Sequence, residues 1–179
     1  MNTLGKVLIQ ANEKLSILKN SKVKHFLLSL TLFFIPVLLP DAQIVTGTII
    51  NFCLIYIAFN YKGFKTIPAI MLPSIANLIK GTMFGGFTPF LLIVMPAIWI
   101  GNFILVFSLK SFAAKKMPIM LNLLLSSILK ALVIFGIAYI TNQIIELPKA
   151  ILNSMGLMQF VTACIASSFY YLTTKIKWQ

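Results

Sequence analysis

"IVMPAIWIGN", residues 93–102, is an apolar run interrupted by Pro96, Trp99, Gly101 and Asn102. Just upstream, "IKGTMFGGFTPF" (79–90) adds a lysine, two glycine clusters and a proline. Proline and glycine weaken a helix, and an amide is costly in hydrocarbon unless it is hydrogen-bonded. A simple membrane anchor uses none of these residues. A chain that opens a polar cavity between membrane helices has a use for all of them.

The surrounding composition fits that setting. Of 179 residues, 59% are hydrophobic and 10% are charged, against roughly 25% charged in a typical soluble domain. A soluble core cannot bury so much apolar surface. The expected class is an all-α membrane protein, one compact bundle with no separate soluble domain. The net charge is +12, and every basic residue is lysine. The lysines flank apolar runs, which is the pattern of membrane-edge charge rather than of nucleic-acid binding. Cys53 and Cys164 lie inside apolar runs with no partner at metal-ligand spacing, and they read as small buried hydrophobes. No metal or cofactor is expected.

Residues 1–22 place Leu4, Val7, Leu8, Ala11, Leu15 and Leu18 on one helical stripe, with Lys6, Gln10, Glu13 and Lys14 elsewhere. This predicts an amphipathic helix lying on the membrane surface. No small-x-small cleavage site follows the next apolar run, so it is expected to be retained. Residues 23–179 then hold six expected spans, at 25–40, 43–61, 66–81, 88–110, 117–141 and 150–173. A spanning helix needs about 20 residues, so the first and third are short. The third also carries Pro68 and Pro73 and runs into the glycine-rich 81–86. It is expected either to kink or to stop below the surface.

With six spans, twelve of the fifteen lysines fall on the side of the N-terminus, the 61–66 and 110–116 connections and the C-terminal tail. Lys80 and Lys149 fall on the other side, with Asp41 and Glu146. The positive-inside rule makes the lysine-rich side cytoplasmic. The expected location is the cell membrane, multi-pass, with both termini in the cytoplasm.

Lys130, in "LSSILKALVIF", is the remaining lysine and sits near the middle of the fifth span. A lysine there costs about 2.5–3.5 kcal/mol on insertion scales. Two readings are open. The ammonium pairs with a buried carbonyl for packing, or it faces an internal cavity. Asn122 and Ser126 lie eight and four residues earlier, which draws a polar stripe along one helix face.

Other spans carry polar side chains too: Thr46, Thr48 and Asn51; Ser74, Asn77 and Lys80; Asn153, Gln159 and Thr162. Singly, each can be interhelical glue. Their shared depth, in the outer half of the bilayer, points to a polar pocket open to the outside with Lys130 near its floor. Pro89, Pro96 and Gly101 let the fourth span bend or approach a neighbour closely. Asn102 offers a donor and an acceptor. Trp99 either packs, faces lipid or offers a flat surface for a planar ring. "GTMFGG" (81–86) is expected to form a lid over the outer mouth. Candidate ligand-binding residues are therefore Lys130, Asn77, Asn102, Gln159, Asn51, Trp99 and Lys80. No acid lies in a span to pair with Lys130, so its expected partner is a ligand carboxylate or phosphate.

Enzyme chemistry is not expected. There is no Walker motif, no clustered carboxylates or histidines in the spans, and only a weak Ser126 or Ser127 with Lys130 arrangement for a serine–lysine dyad. A proton-coupled carrier needs an acidic or histidine relay that the spans lack.

The stretches "IVTGTIINFCLIYIAF", "IPAIMLPSIANLIKG", "FTPFLLIVMPAIWIGNFILV" and "SSILKALVIF" span about 100 residues, 44–135. In order and spacing this region resembles the substrate-binding subunit, or S-component, of energy-coupling factor (ECF) transporters. The likeness is to a small group whose members sometimes carry an "iron hydrogenase" label, which two isolated cysteines do not support. The resemblance implies a six-helix bundle that binds a vitamin or similar micronutrient from outside, and the unpaired Lys130 makes the expected ligand a small anion. It also implies docking to a transmembrane coupling subunit driven by two cytoplasmic ATPases. Many S-components carry a small-x-x-x-small docking motif in span one. "FLLSLTLFFIPVLL" (26–39) has none, which leaves Ser29 or another surface for docking. The competing expectation is a membrane scaffold or assembly factor of a cell-envelope complex, which needs no outer pocket.

Overall fold

The computed structural model describes residues 21–39, 42–61, 67–82 and 84–176. The expectation for residues 1–20 lies outside them. Helices form wherever apolar runs were read. They are α1 (Ser21–Leu38), α2 (Gln43–Asn60), α3 (Ile67–Lys80), α4 (Phe90–Ala114) and α5 (Ile119–Ile144). The last, α6, runs Lys149–Asn153, passes through a π-helical turn at Ser154–Met158 and continues as Gln159–Ile176. A short 3₁₀ turn, Gly85–Phe87, precedes α4. No strand occurs among the described residues.

The expected positions hold, but the count of spans does not. Among the described residues four helices, not six, are long and apolar enough to cross a membrane: α2, α4, α5 and α6. The apolar part of α1, Val23–Leu38, is shorter than the spanning length. α3 has 14 residues with Pro73 inside it. At 1.5 Å per residue it covers roughly 21 Å of a hydrocarbon layer about 30 Å thick. Gly81, at a positive φ of 74°, follows the last turn and ends the helix there, which continues unbroken through Pro73.

The apolar and polar faces are arranged as in a protein that sits in lipid. Leu132, Ile140, Ile144, Met120 and Leu157 are exposed, while Asn51, Asn102, Asn122, Ser126, Ser127 and Lys130 are buried. Hydrocarbon offers no hydrogen-bond partner, so polar groups turn inward to satisfy one another. Four apolar helices with this pattern are consistent with a membrane-embedded protein.

Packing follows a regular scheme. α4 lies along α5, α2 along α6, and α1 along α3, with α2 also against α4. Gln43 meets Ser154, Asn51 meets Thr162 and Phe59 stacks on Tyr170 at a ring separation of 5.2 Å. All three pairs have the same sequence offset, so α2 and α6 run parallel and in register. Asn122 reaches back to the Leu109 carbonyl at 3.0 Å, which makes α4 and α5 antiparallel. The lysine-flanked ends of α2, α4 and α6 therefore share one end of the bundle. The α1–α2, α3–α4 and α5–α6 connections share the other.

Gly101 permits a close helix approach. A Cβ there would lie 2.2 Å from Ile134 Cγ1 and 2.5 Å from its Cδ1. The glycine in the opening motif therefore serves close packing of α4 on α5. Pro96 sits on an exposed face within a continuous helix.

Candidate functional site

A cavity of about 60 Å³ lies between the helices in the half of the bundle near the α3–α4 and α5–α6 connections. Its walls come from α2 (Asn51), α3 (Ser74, Asn77), α4 (Asn102), α5 (Lys130) and α6 (Ser154, Gln159, Thr162). Phe84, just ahead of the 3₁₀ turn, closes part of it. Of the seven expected ligand-binding residues, Lys130, Asn51, Asn77, Asn102 and Gln159 come together here, from all five of those helices.

Two expected residues do not line it. Trp99 is half-buried, and its indole Nε1 donates to Ser74 Oγ at 2.6 Å, so it braces a wall residue from behind. Lys80 Nζ donates to the Leu39 carbonyl at 2.6 Å and ties the last turn of α3 to the end of α1. That bond lies away from the cavity because Lys80 is on the outermost turn of α3. The polar stripe of α5 also divides. Lys130 lines the cavity, but Ser126 donates to Asn122 Oδ1 at 3.3 Å and neither lines it.

Lys130 is 2% exposed. Its ammonium donates to Asn51 Oδ1 at 2.5 Å. Asn51 Nδ2 donates to Thr162 Oγ1 at 3.0 Å, and Thr162 in turn donates to the Met158 carbonyl at 2.8 Å. Each orientation is forced: an ammonium only donates and a carbonyl only accepts. Within the protein, then, Lys130 has an acceptor in Asn51, and the expected ligand is not its sole possible partner. Asn51, carried by α2 at the depth of Lys130, supplies an acceptor that no i, i+4 pattern reveals. Glu146, the acid among the described residues, is exposed at the start of the α5–α6 connection.

Elsewhere the cavity wall is less complete. Asn102 Nδ2 donates to the Ile70 carbonyl at 3.1 Å, while its Oδ1 is buried with no hydrogen-bond partner among the described residues. A buried acceptor left unmet costs about 1–3 kcal/mol. The side-chain amides of Asn77 and Gln159 also make no hydrogen bond among the described residues, although both line the cavity. Pro73 lines it as well, at the point where α3 lacks a backbone donor.

Sequence reasoning missed Gln43, Gly47 and Ser154. Gln43 Nε2 donates to Ser154 Oγ and, at 3.3 Å, to the Ser154 carbonyl. A Cβ on Gly47 would lie 3.0 Å from Thr162 Cγ2, so glycine lets α2 close on α6. The π turn that carries Ser154 and Met155 into the wall widens α6 there. Such turns recur at functional sites, but no local residue pattern announces this one.

The cavity is small. Ligand clefts for drug-sized molecules run to roughly 300–1,000 Å³, so as folded this one encloses a few atoms. Among the described residues, no group of three or more His, Cys, Asp and Glu is placed to hold a metal ion. Compared with known proteins, the chain matches no family model, no curated protein and no solved structure.

Proposed function

We propose that this chain is the substrate-binding subunit of an ECF-type uptake transporter, a six-helix membrane bundle that captures a small polar, vitamin-like ligand from outside. The observation that carries the proposal is the polar cavity itself. Five helices deliver amides, hydroxyls and one ammonium to it, at one end of the bundle only. The ligand is a small molecule, and the partners are a membrane coupling subunit and two cytoplasmic ATPases. In this reading α1 and α3 cross the bilayer as short spans around which the bilayer thins locally, beside the four longer ones. The lysine-rich end faces the cytoplasm and the cavity end faces outside. The protein performs no chemistry of its own.

The scaffold reading has one observation in its favour: Lys130 already has an internal acceptor in Asn51, so the polar network can serve as interhelical glue. Two measurements separate the readings. The chain purified in mild detergent should carry a small molecule detectable by native mass spectrometry, and uptake should require the coupling subunit, the ATPases and ATP. Uptake by vesicles holding this chain alone overturns the proposal. Co-purifying envelope proteins with no small molecule favours the scaffold.

Topology has its own test. With Cys53 and Cys164 replaced, single cysteines at 64, 113 and 179 should be labelled only from the cytoplasmic face and one at 146 from outside. Outside labelling at 179 breaks the six-span arrangement.

A further inference from the structure

The walls of the cavity specify the chemistry of what fits there. Ile70's carbonyl only accepts, so Asn102 must turn its NH₂ towards Ile70. Its Oδ1 is buried with no donor among the described residues, on a residue that lines the α4 wall. Asn102 is 2% exposed, so bulk solvent does not meet that need. On the α5 wall, Lys130 gives one of its three N–H groups to Asn51 and keeps donors for an incoming acceptor. The cavity lining therefore combines a buried acceptor that lacks a donor with an ammonium that has donors to spare, and Asn77 and Gln159 lie beside them.

A carboxylate has acceptors only. It satisfies Lys130 but sets oxygen lone pairs against Asn102 Oδ1. A carboxamide, lactam or ureido group carries a C=O and an N–H on neighbouring atoms and satisfies both walls. Size agrees: about 60 Å³ is far below the roughly 300–1,000 Å³ of clefts that take whole drug-sized ligands. That suits the head of such a group rather than a whole vitamin-sized ligand.

We infer that the cavity binds the uncharged amide-like end of its ligand, with the ligand C=O towards Lys130 and its N–H towards Asn102 Oδ1. This rests on the cavity being a ligand site, and it narrows the ligand from the expected anion to a neutral hydrogen-bonding head group.

Trp99 supplies the readout, because its indole is bonded to Ser74 in the cavity wall. The other tryptophan, Trp178, is removed by Trp178→Phe, leaving Trp99 as the sole indole emitter. The full-length protein in detergent is titrated with acetamide and, separately, with sodium acetate at neutral pH. The two probes have nearly the same shape and differ in the N–H donor and the charge. The expected result is a saturable change in Trp99 emission for acetamide, with acetate weaker by about tenfold or more, the loss of one hydrogen bond against a buried acceptor. Asn102→Leu should erase that preference.

Acetate binding as tightly as acetamide overturns the ligand class while leaving the cavity a binding site. No saturable response to either probe overturns the cavity as a ligand site altogether. A preference that survives in folded Asn102→Leu protein overturns the role of Oδ1. Should Asn102→Leu fail to fold, the two-probe comparison on the unsubstituted site still decides.

Discussion

At the lysine-rich end of the bundle, Leu54, Ile55, Ile57, Leu105 and Leu109 are completely buried, and Phe59 stacks on Tyr170 beside them. At the opposite end the corresponding turns of α2, α4 and α6 place Asn51, Asn102 and Thr162 around a cavity. The same three helices build both ends. One end is filled by aliphatic and aromatic side chains that need no partner. The other is filled by polar side chains whose partners are on other helices, and one acceptor is left unmet. The first arrangement resists separation of the helices. The second leaves hydrogen-bonding capacity available to something that enters. Polar groups also occur at the filled end, but there they close on themselves. Ser127 bonds to the Leu123 carbonyl at 2.8 Å and to Ser167 at 3.0 Å, and Ser108 bonds to the Ile104 carbonyl at 2.7 Å.

The largest effect should come from the filled end. Leu54→Ala removes a fully buried side chain, and truncations of this kind cost about 2–5 kcal/mol. Thermal unfolding in detergent should show that loss, while any ligand response per folded molecule stays as in the parent. A ligand response that falls as steeply as stability would join the two ends into one unit.

Next comes the helix seam between them. Gly101→Val forces a Cβ into Ile134, where the added atom would lie 2.2 Å from Cγ1. Overpacking of this kind costs about 1–3 kcal/mol. Gly136→Val is the control: nothing lies within 4 Å of a Cβ there, and stability should move by about 0.5 kcal/mol or less. Equal effects at the two glycines would mean that α4 and α5 do not meet at Gly101.

Lys130→Met tests the latch between α5 and α2. It removes the charge, yet it leaves Asn51 Oδ1 without its donor. A loss of about 1–3 kcal/mol is expected. Adding Asn51→Leu should recover part of it, because replacing both partners with apolar groups is nearly neutral. Additive losses in the double variant would show that the two side chains act independently.

The smallest effect is expected at the brace behind the cavity. Trp99→Phe deletes the bond to Ser74 Oγ and should cost about 1 kcal/mol, read from the same unfolding curves. It should leave the filled end untouched, as judged by near-ultraviolet signals from the Phe59–Tyr170 stack.

Much of this was legible in the order of residues. A 3.6-residue period is unnecessary for a helix that is apolar all round, so length and hydrophobicity alone placed all six helices within a few residues. The sequence also marked Lys130, Asn51, Asn77, Asn102 and Gln159 as polar groups at one depth, because helix rise converts residue number into depth. Depth does not give azimuth. That is why Lys80 and Trp99 were grouped with the cavity although one ties α3 to α1 and the other stands behind Ser74. Hydropathy also did not decide which runs reach spanning length. The turn at Gly81 ended one of them at Lys80.

The amino-acid order by itself determined that the chain forms apolar helices and that an ammonium lies deep in α5. These follow from the transfer cost of side chains and from chain geometry, both local properties. Only the tertiary structure decided that Asn51 holds Lys130 and Gly101 admits Ile134. It alone turned the π turn of α6 into a wall and left Asn102 Oδ1 without a donor. Each of these depends on which faces of separate helices meet, and that is set by the simultaneous packing of five helices, not by any one segment.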